Sequence, residues 1–182
     1  MDFYIRELKH EEFEKASALI WKTFYAFDSA GYTMAGMEKF RDVTSTVSLQ
    51  INSFDGRMNV YGAFAEEDAL IGVCAVRIKT YPEDGKDFVN EKNHLTLLFV
   101  DGAYHKNGVG KALAEKAVSD AKKAIAAHGE KDGGAITVNS SDQAVGFYEK
   151  LGFVKTGERR VEDGIISTPM RLDLPPRIMR LE

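Results

Sequence analysis

The sequence predicts an α/β fold in which one mixed β-sheet carries helices. Three observations predict it. Two β-prone runs, Met58 to Ala65 and Leu70 to Ile78, follow a helical pattern early in the chain. Strand, helix, strand, helix and two further strands then alternate between His94 and Leu174. Across the 182 residues no composition shift, internal repeat or low-complexity tract marks a linker. One domain over residues 1–174 is therefore expected, with residues 175–182 as a C-terminal tail opened by Pro175-Pro176.

Taken in order, Phe3-Tyr4-Ile5-Arg6-Glu7-Leu8 reads as a short strand. Phe13, Ala16, Ile20, Phe24 and Phe27 then recur at helical spacing and give a buried stripe. Asp28 to Gly36, with two glycines and Ser29, breaks that helix, and Met37 to Leu49 resumes a weaker helical pattern. Glu66-Glu67-Asp68-Ala69 joins the two β-prone runs as a hairpin connection. Lys79 to Asn93, with Pro82 and Asp84-Gly85, reads as an exposed loop, and His94 to Val100 as a buried central strand. From Gly108, the residues Val109, Ala112, Leu113, Ala117, Ala121, Ala124 and Ile125 mark a long helix that stops at Gly129. Ala135 to Asn139 is a strand, Ser141 is placed to cap a helix running to about Leu151, and Gly152 ends it. Phe153 to Gly157 and Ile165 to Leu174 supply two strands around the hairpin signal Asp163-Gly164.

Hydrophobic residues make up 44% and charged residues 29%, which excludes a disordered or fibrous chain. The longest apolar run, Ala69 to Val76, is far short of the ~20 residues of a membrane-spanning helix. Charges interrupt Met1-Asp2-Phe3-Tyr4-Ile5-Arg6-Glu7 where a signal peptide would be apolar, so no membrane partner and a cytoplasmic location are expected. The net charge of -4 and pI of about 5.7 argue against a nucleic-acid partner and favour a cationic small molecule or basic peptide. The single cysteine, Cys74, lies within the apolar run and is expected to pack as a small hydrophobe. His10, His105 and His128 show no ligand spacing, and no metal is expected.

The most informative stretch runs from Leu97 to Lys111, where a buried strand turns through Asp101-Gly102-Ala103-Tyr104-His105-Lys106-Asn107-Gly108 into a helix. Gly108 and Gly110 remove side chains where the helix begins, so free N–H groups at the positive end of the helix dipole can hold an anion. Lys106 and Lys111 add charge suited to a diphosphate. A glycine turn with no ligand is the alternative. A P-loop would need Ser or Thr where Ala112 stands, and a dinucleotide fingerprint would need Gly or Ala where Leu113 stands, so nicotinamide binding is disfavoured.

This junction resembles the acetyl-CoA motif of the GNAT superfamily of N-acyltransferases, Gln/Arg-x-x-Gly-x-Gly/Ala, with His105 in place of Gln or Arg. A second block resembles the same family: Asn139, Ala144, Phe147, Tyr148, Gly152 and Phe153 match Asn-x-x-x-x-Ala-x-x-Phe-Tyr-x-x-x-Gly-Phe. The resemblance implies a mostly antiparallel sheet with a splayed parallel strand pair and helices on both faces. It implies acetyl-CoA as cosubstrate, a primary amine of a small molecule or peptide as acceptor, direct attack in a ternary complex, and a possible homodimer. A silent CoA-binding regulatory or interaction domain is the alternative.

By the same resemblance, the amides from His105 through Lys106, Asn107, Gly108, Val109, Gly110 and Lys111 hold the pyrophosphate, and Leu98, Phe99 and Val100 line the pantetheine arm. The Leu98 amide then polarises the thioester carbonyl. Tyr148 is the general acid for the leaving thiolate, with Phe147 beside it, although both fit a core role too. His94 stands where some members carry a glutamate base, and strand alternation places it on one face with Thr96, Leu98 and Val100. Asn139 contacts CoA or a water, or merely caps a turn. Among the aromatic residues of the first helix and loop, Tyr25 and Tyr32, with Asp28 as the local charge, are the acceptor-binding candidates.

Overall fold

The computed structural model describes residues 1–129 and 134–175, so the expected tail from Pro176 onward lies outside the described residues. The chain starts with strand β1 (Tyr4–Glu7), followed by helices α1 (Phe13–Phe27), α2 (Met34–Val43) and α3 (Thr46–Phe54). Strands β2 (Asn59–Phe64), β3 (Leu70–Arg77) and β4 (Asn93–Val100) lead to α4 (Val109–Ala127) and β5 (Gly134–Ser140). The short helix α5 (Val145–Lys150) precedes β6 (Val154–Lys155), β7 (Arg160–Glu162) and β8 (Ile165–Leu174).

Among the described residues the strands form one sheet in the order β1-β2-β3-β4-β5-β8-β6, with β7 also on β8. Neighbours are antiparallel except β4 and β5, which run parallel. The mixed, mostly antiparallel sheet expected from the sequence is thus present.

Both faces of β2 and β3 are buried, because helices cover the sheet on both sides. On one side α4 lies over Tyr61, Cys74, Val76, Leu95 and Ile136. Its inward residues include Ala114, Ala117 and Ala121, whose small side chains allow close approach. Gly72 on β3 completes that fit: a Cβ there would meet Leu113 Cδ1 at 2.9 Å. On the other side, Phe13, Ile20 and Phe24 of α1 and Leu49 of α3 pack on Val60, Val73, Ala75 and Leu97.

Four boundaries differ from the sequence reading. The single helix expected over Met37 to Leu49 is two helices, broken at Thr44-Ser45. Thr44 Oγ1 donates to the Phe40 carbonyl (2.7 Å) and the Ser45 hydroxyl accepts from the Ser48 amide (3.2 Å), so two adjacent hydroxyls end one helix and cap the next. Gly36 lies inside α2 rather than breaking it, and Thr33 caps that helix by accepting from the Gly36 amide. Ser141 does not cap α5; its carbonyl closes a turn to Ala144, and the helix starts at Val145. Finally, the Asp163-Gly164 hairpin joins β8 to Arg160–Glu162, and the expected Phe153 to Gly157 strand shrinks to Val154–Lys155.

Gly36 is required for a further reason. A Cβ on it would lie 2.2 Å from the Gly164 carbonyl oxygen, so α2 and the β7–β8 turn meet backbone to backbone. Gly36→Ala should therefore destabilise the fold by about 1–3 kcal/mol. At Gly146, in α5, a Cβ meets nothing within 4 Å, and alanine should stabilise by roughly 0.5–1 kcal/mol. Urea unfolding of both variants against the parent checks the contrast.

Candidate active site

The β4–β5 pair is closed at one end and open at the other. Pairing is confined to Asn93, His94 and Leu95 opposite Ile136, Thr137 and Val138. Asn93, almost fully buried, fixes this end: its side-chain amide donates to the Ala135 carbonyl (3.1 Å) and its Oδ1 accepts from the Lys79 amide (3.0 Å). Beyond it β5 follows β8 through Ser140 opposite Thr168, while β4 follows β3. A wedge opens between them.

A bulge in β4 turns the strand there. Ala75 pairs with Leu97 but Val76 pairs with Leu95, so Thr96 is an extra residue. The insertion switches the faces. Leu95 and Leu98 pack with the α4 core, whereas Leu97 packs with the α1 core. The expected common face for His94, Thr96, Leu98 and Val100 is thereby overturned: His94, one residue before Leu95, is on the α1 side, and Leu98 and Val100 are on the α4 side. Backbone directions alternate as well. The Asp101 amide donates to the Ile71 carbonyl on β3 (2.9 Å), so the polar groups of Leu98 and Val100 face the wedge.

At the end of β4 the chain passes Lys106 (φ 63°) and Gly108 (φ 82°), two left-handed positions, into α4. Gly108 offers no side-chain cap, and the first backbone bond of the helix runs from the Ala112 amide to the Gly108 carbonyl (3.0 Å). The amides of Val109, Gly110 and Lys111 precede that bond and are free of helical partners. A Cβ on Gly110 would touch the Phe147 ring and Val100 Cγ2 at 3.6 Å, which places the helix start against the wedge. Lys106, Asn107 and Lys111 are exposed around it. His105 turns back: its Nε2 donates to the Val100 carbonyl (2.8 Å) and its ring lies 4.9 Å from that of Phe27. Phe27, expected in the buried stripe, is 46% exposed because it covers this loop rather than the sheet.

Tyr148 lies on the α4 side of the wedge, in contact with Phe147 and Phe153 and only 5% exposed. Its hydroxyl makes no hydrogen bond among the described residues, and Thr23 Oγ1 is the sole sealed side-chain atom among them in that condition. The phenol oxygen is therefore not completely sealed. Burial first, then Cys74 and Asp28, push its pKa upward, so it stays protonated at neutral pH. Cys74 is fully buried, and its thiol is raised by the same burial.

On the α1 side the wedge mouth is bounded by Asp28, Tyr32 and Asn139. Asp28 ends α1, with its amide on the Phe24 carbonyl (2.8 Å) and its carboxylate beside the Ser141 side chain and His105. Burial raises its pKa, partly offset by Ser141 and His105. The Tyr32 hydroxyl donates to the Ile166 carbonyl (3.4 Å), and burial with the charges of Asp28 and Asp142 lifts it to about 12. Asn139 is an exposed residue near the end of β5. Tyr25 is not brought to this mouth; it is 64% exposed and lies against Trp21, because it follows Phe24 by one residue and leaves the inward stripe. Sequence reasoning missed Ser141 as a wall of the mouth and the Asp142–Arg159 pair (2.9 Å) next to it. A polar run after a strand, Asn139-Ser140-Ser141-Asp142, was their only signal.

Among the described residues no three His, Cys, Asp or Glu side chains gather where a metal ion could be held, and no helix is long and apolar enough to cross a membrane.

His94 sits at the closed end of the wedge. Thr137 Oγ1 donates to the Asn93 carbonyl (3.3 Å), so it accepts from His94 Nδ1–H (2.7 Å), which assigns the neutral tautomer with Nε2 as acceptor. Burial first, then Lys92 and Arg77, lower its pKa from 6.5 to about 4.

The comparisons agree on the fold. A family model described as an acetyltransferase (GNAT) domain matches residues 28–174. The peptidyl-lysine N-acetyltransferase YjaB of Escherichia coli K12 is 37% identical over 70 residues, covering 38% of this chain and 42% of YjaB. Its Salmonella typhimurium counterpart is 38% identical over 73 residues, with the same coverage. The chain thus spans about two fifths of the length of the curated relatives it matches. Among solved structures, PaiA N-acetyltransferase from Thermoplasma acidophilum, in complex with coenzyme A, superposes with a TM-score of 0.68 at 22% identity, covering 95% of this chain and 99% of that one. The apo form of E. coli YjaB gives 0.62 at 24% identity, covering 96% and 98%. At these identities the superpositions speak for the fold alone.

The lowered His94 pKa has a stability consequence. The unfolded chain binds this proton near pH 6.5 and the folded chain near 4, so stability is full above 6.5 and falls by up to about 3 kcal/mol as pH drops from 6.5 to 4. His94→Gln, which can still donate to Thr137, should flatten that part of the curve; urea unfolding across this range checks it.

Proposed function

The chain belongs to the GNAT acetyltransferase family, and from that premise we propose that it transfers the acetyl group of acetyl-CoA to a primary amine by direct attack in a ternary complex. One observation carries the reading: the backbone of Leu98 and Val100 faces a wedge beside the free amides of α4, and the nearby Tyr148 hydroxyl has no partner among the described residues.

The residues present fit acetyl-CoA. The pyrophosphate sits on the amides of Val109, Gly110 and Lys111, where the helix dipole favours an anion and Gly108 keeps side chains away. Lys106, Asn107 and Lys111 are at hand on the surface of the same turn. The pantetheine arm pairs with β4 along Leu98 and the Val100 amide as a missing strand would, the Val100 carbonyl being held by His105, and Phe147 and Val100 form its wall. In this arrangement the Leu98 amide donates to the thioester oxygen as negative charge develops on it. Tyr148, protonated at neutral pH, gives its proton to the departing thiolate. Asn139 and Tyr32 border the side from which the amine comes. Because the matched relatives act on peptidyl lysine, a lysine ε-amine is the leading acceptor.

The Tyr148 hydroxyl has no hydrogen bond among the described residues, so Tyr148→Phe should leave stability unchanged and lower kcat by ~10²-fold or more. Acetyl-CoA at about a hundred times its dissociation constant should stabilise parent and variant alike by ~2.7 kcal/mol, read as a higher Tm, whereas NAD and ATP should not. A Tm rise with no thiol released for any amine would instead mark a CoA-binding domain that transfers nothing.

A further inference from the structure

The acceptor's amine arrives at neutral pH as an ammonium ion, which cannot attack until it loses a proton. His94 is poorly placed to take it. It lies opposite Arg77, and Leu98 opposite Cys74, three residues away on β3, which separates the two by roughly 10 Å at the usual rise of a strand, and its Nδ1 is committed to Thr137 at the closed end.

Asp28 is placed at the open end. It stands where α1 stops, between the His105 loop that follows β4 and Ser141 that follows β5. Among the described residues no lysine or arginine pairs with it. The groups facing it are Ser141, His105, Tyr32 and Tyr148, and Asp142 adds a second negative charge toward Tyr32. A half-buried carboxylate without a cation is costly to maintain. A cation bound there would offset the charge that now raises both tyrosines.

We propose that Asp28 receives the acceptor as an alkylammonium ion and takes its proton. The inference rests on the acetyltransferase reading. In the step, the carboxylate removes one proton from nitrogen and the freed lone pair forms the C–N bond to the thioester carbon. The C–S bond then breaks, the thiolate takes the Tyr148 proton, and the second proton lost by nitrogen restores Tyr148. Asp28 afterwards releases its proton to water.

The experiment compares the parent with Asp28→Asn and Asp28→Glu. The probes are a peptide bearing one internal lysine and n-butylammonium. With the peptide, Asp28→Asn should lower kcat/KM by ~10²-fold or more at pH 7, the deficit should shrink as pH rises and the amine arrives already neutral, and Asp28→Glu should recover part of it. A merely structural loss would be equal at every pH, and that outcome, or activity near the parent's, overturns the proposal. By NMR titration, n-butylammonium should bind the CoA-loaded parent at least tenfold more tightly than Asp28→Asn. Equal binding, or none to the parent, overturns it as well. Failure of the acetyltransferase reading has a different signature: no thiol is released by any variant with any amine.

Discussion

The parting of β4 from β5 governs the rest of the molecule. A parallel pair that stayed in register through Val100 would use the polar groups of Leu98 and Val100 on β5 and leave nothing for a ligand. Two features hold the strands apart. The extra residue at Thr96 bends β4 while it stays paired with β3, and the long antiparallel ladder with β8 keeps β5 on its own course. The buried Asn93 confines the closed end. Hydrogen-bonding capacity that the sheet leaves unmet is thus concentrated in one wedge, and the start of α4 adds the free amides of its first turn to it.

Around that wedge the chain separates two kinds of environment. The α4 side is apolar, with Tyr148 and Cys74 buried so deeply that both hold their protons. The α1 side is polar and negative, with Asp28, Tyr32, Ser141 and Asp142 at the rim. Each environment suits one reactant of an acyl transfer to an amine: the first protects a thioester and its leaving group from water, and the second concentrates a cation.

Much of this was legible in the sequence where the signal is local. Gly108 and Gly110 before an alanine-rich helix mark a helix start without side chains, and the Asn139 to Phe153 block places Phe147 and Tyr148 beside it. The alternation rule failed at His94 because a bulge inserts a residue without changing composition, so Thr96 looks like any strand residue. The Thr44-Ser45 break was hidden by apolar residues on both sides that kept an apparent helical period. Phe27 and Tyr25 exchanged their expected surroundings because helical spacing predicts a face but not what that face covers at the helix end. Ser141 and Asp142 gained their place only through the path of β8, a contact distant in sequence.

A parting of two strands within one sheet faces both sides of that sheet. A pit has one mouth, and whatever enters second must wait for or slide past what entered first. A slot between two strands has two mouths, one under α4 and one under α1, so two molecules entering from opposite sides meet end to end at the middle and never cross. Under the proposed reading, traffic on one side would leave the other side undisturbed, and the spent carrier would back out the way it came while the modified molecule withdrew in the opposite direction.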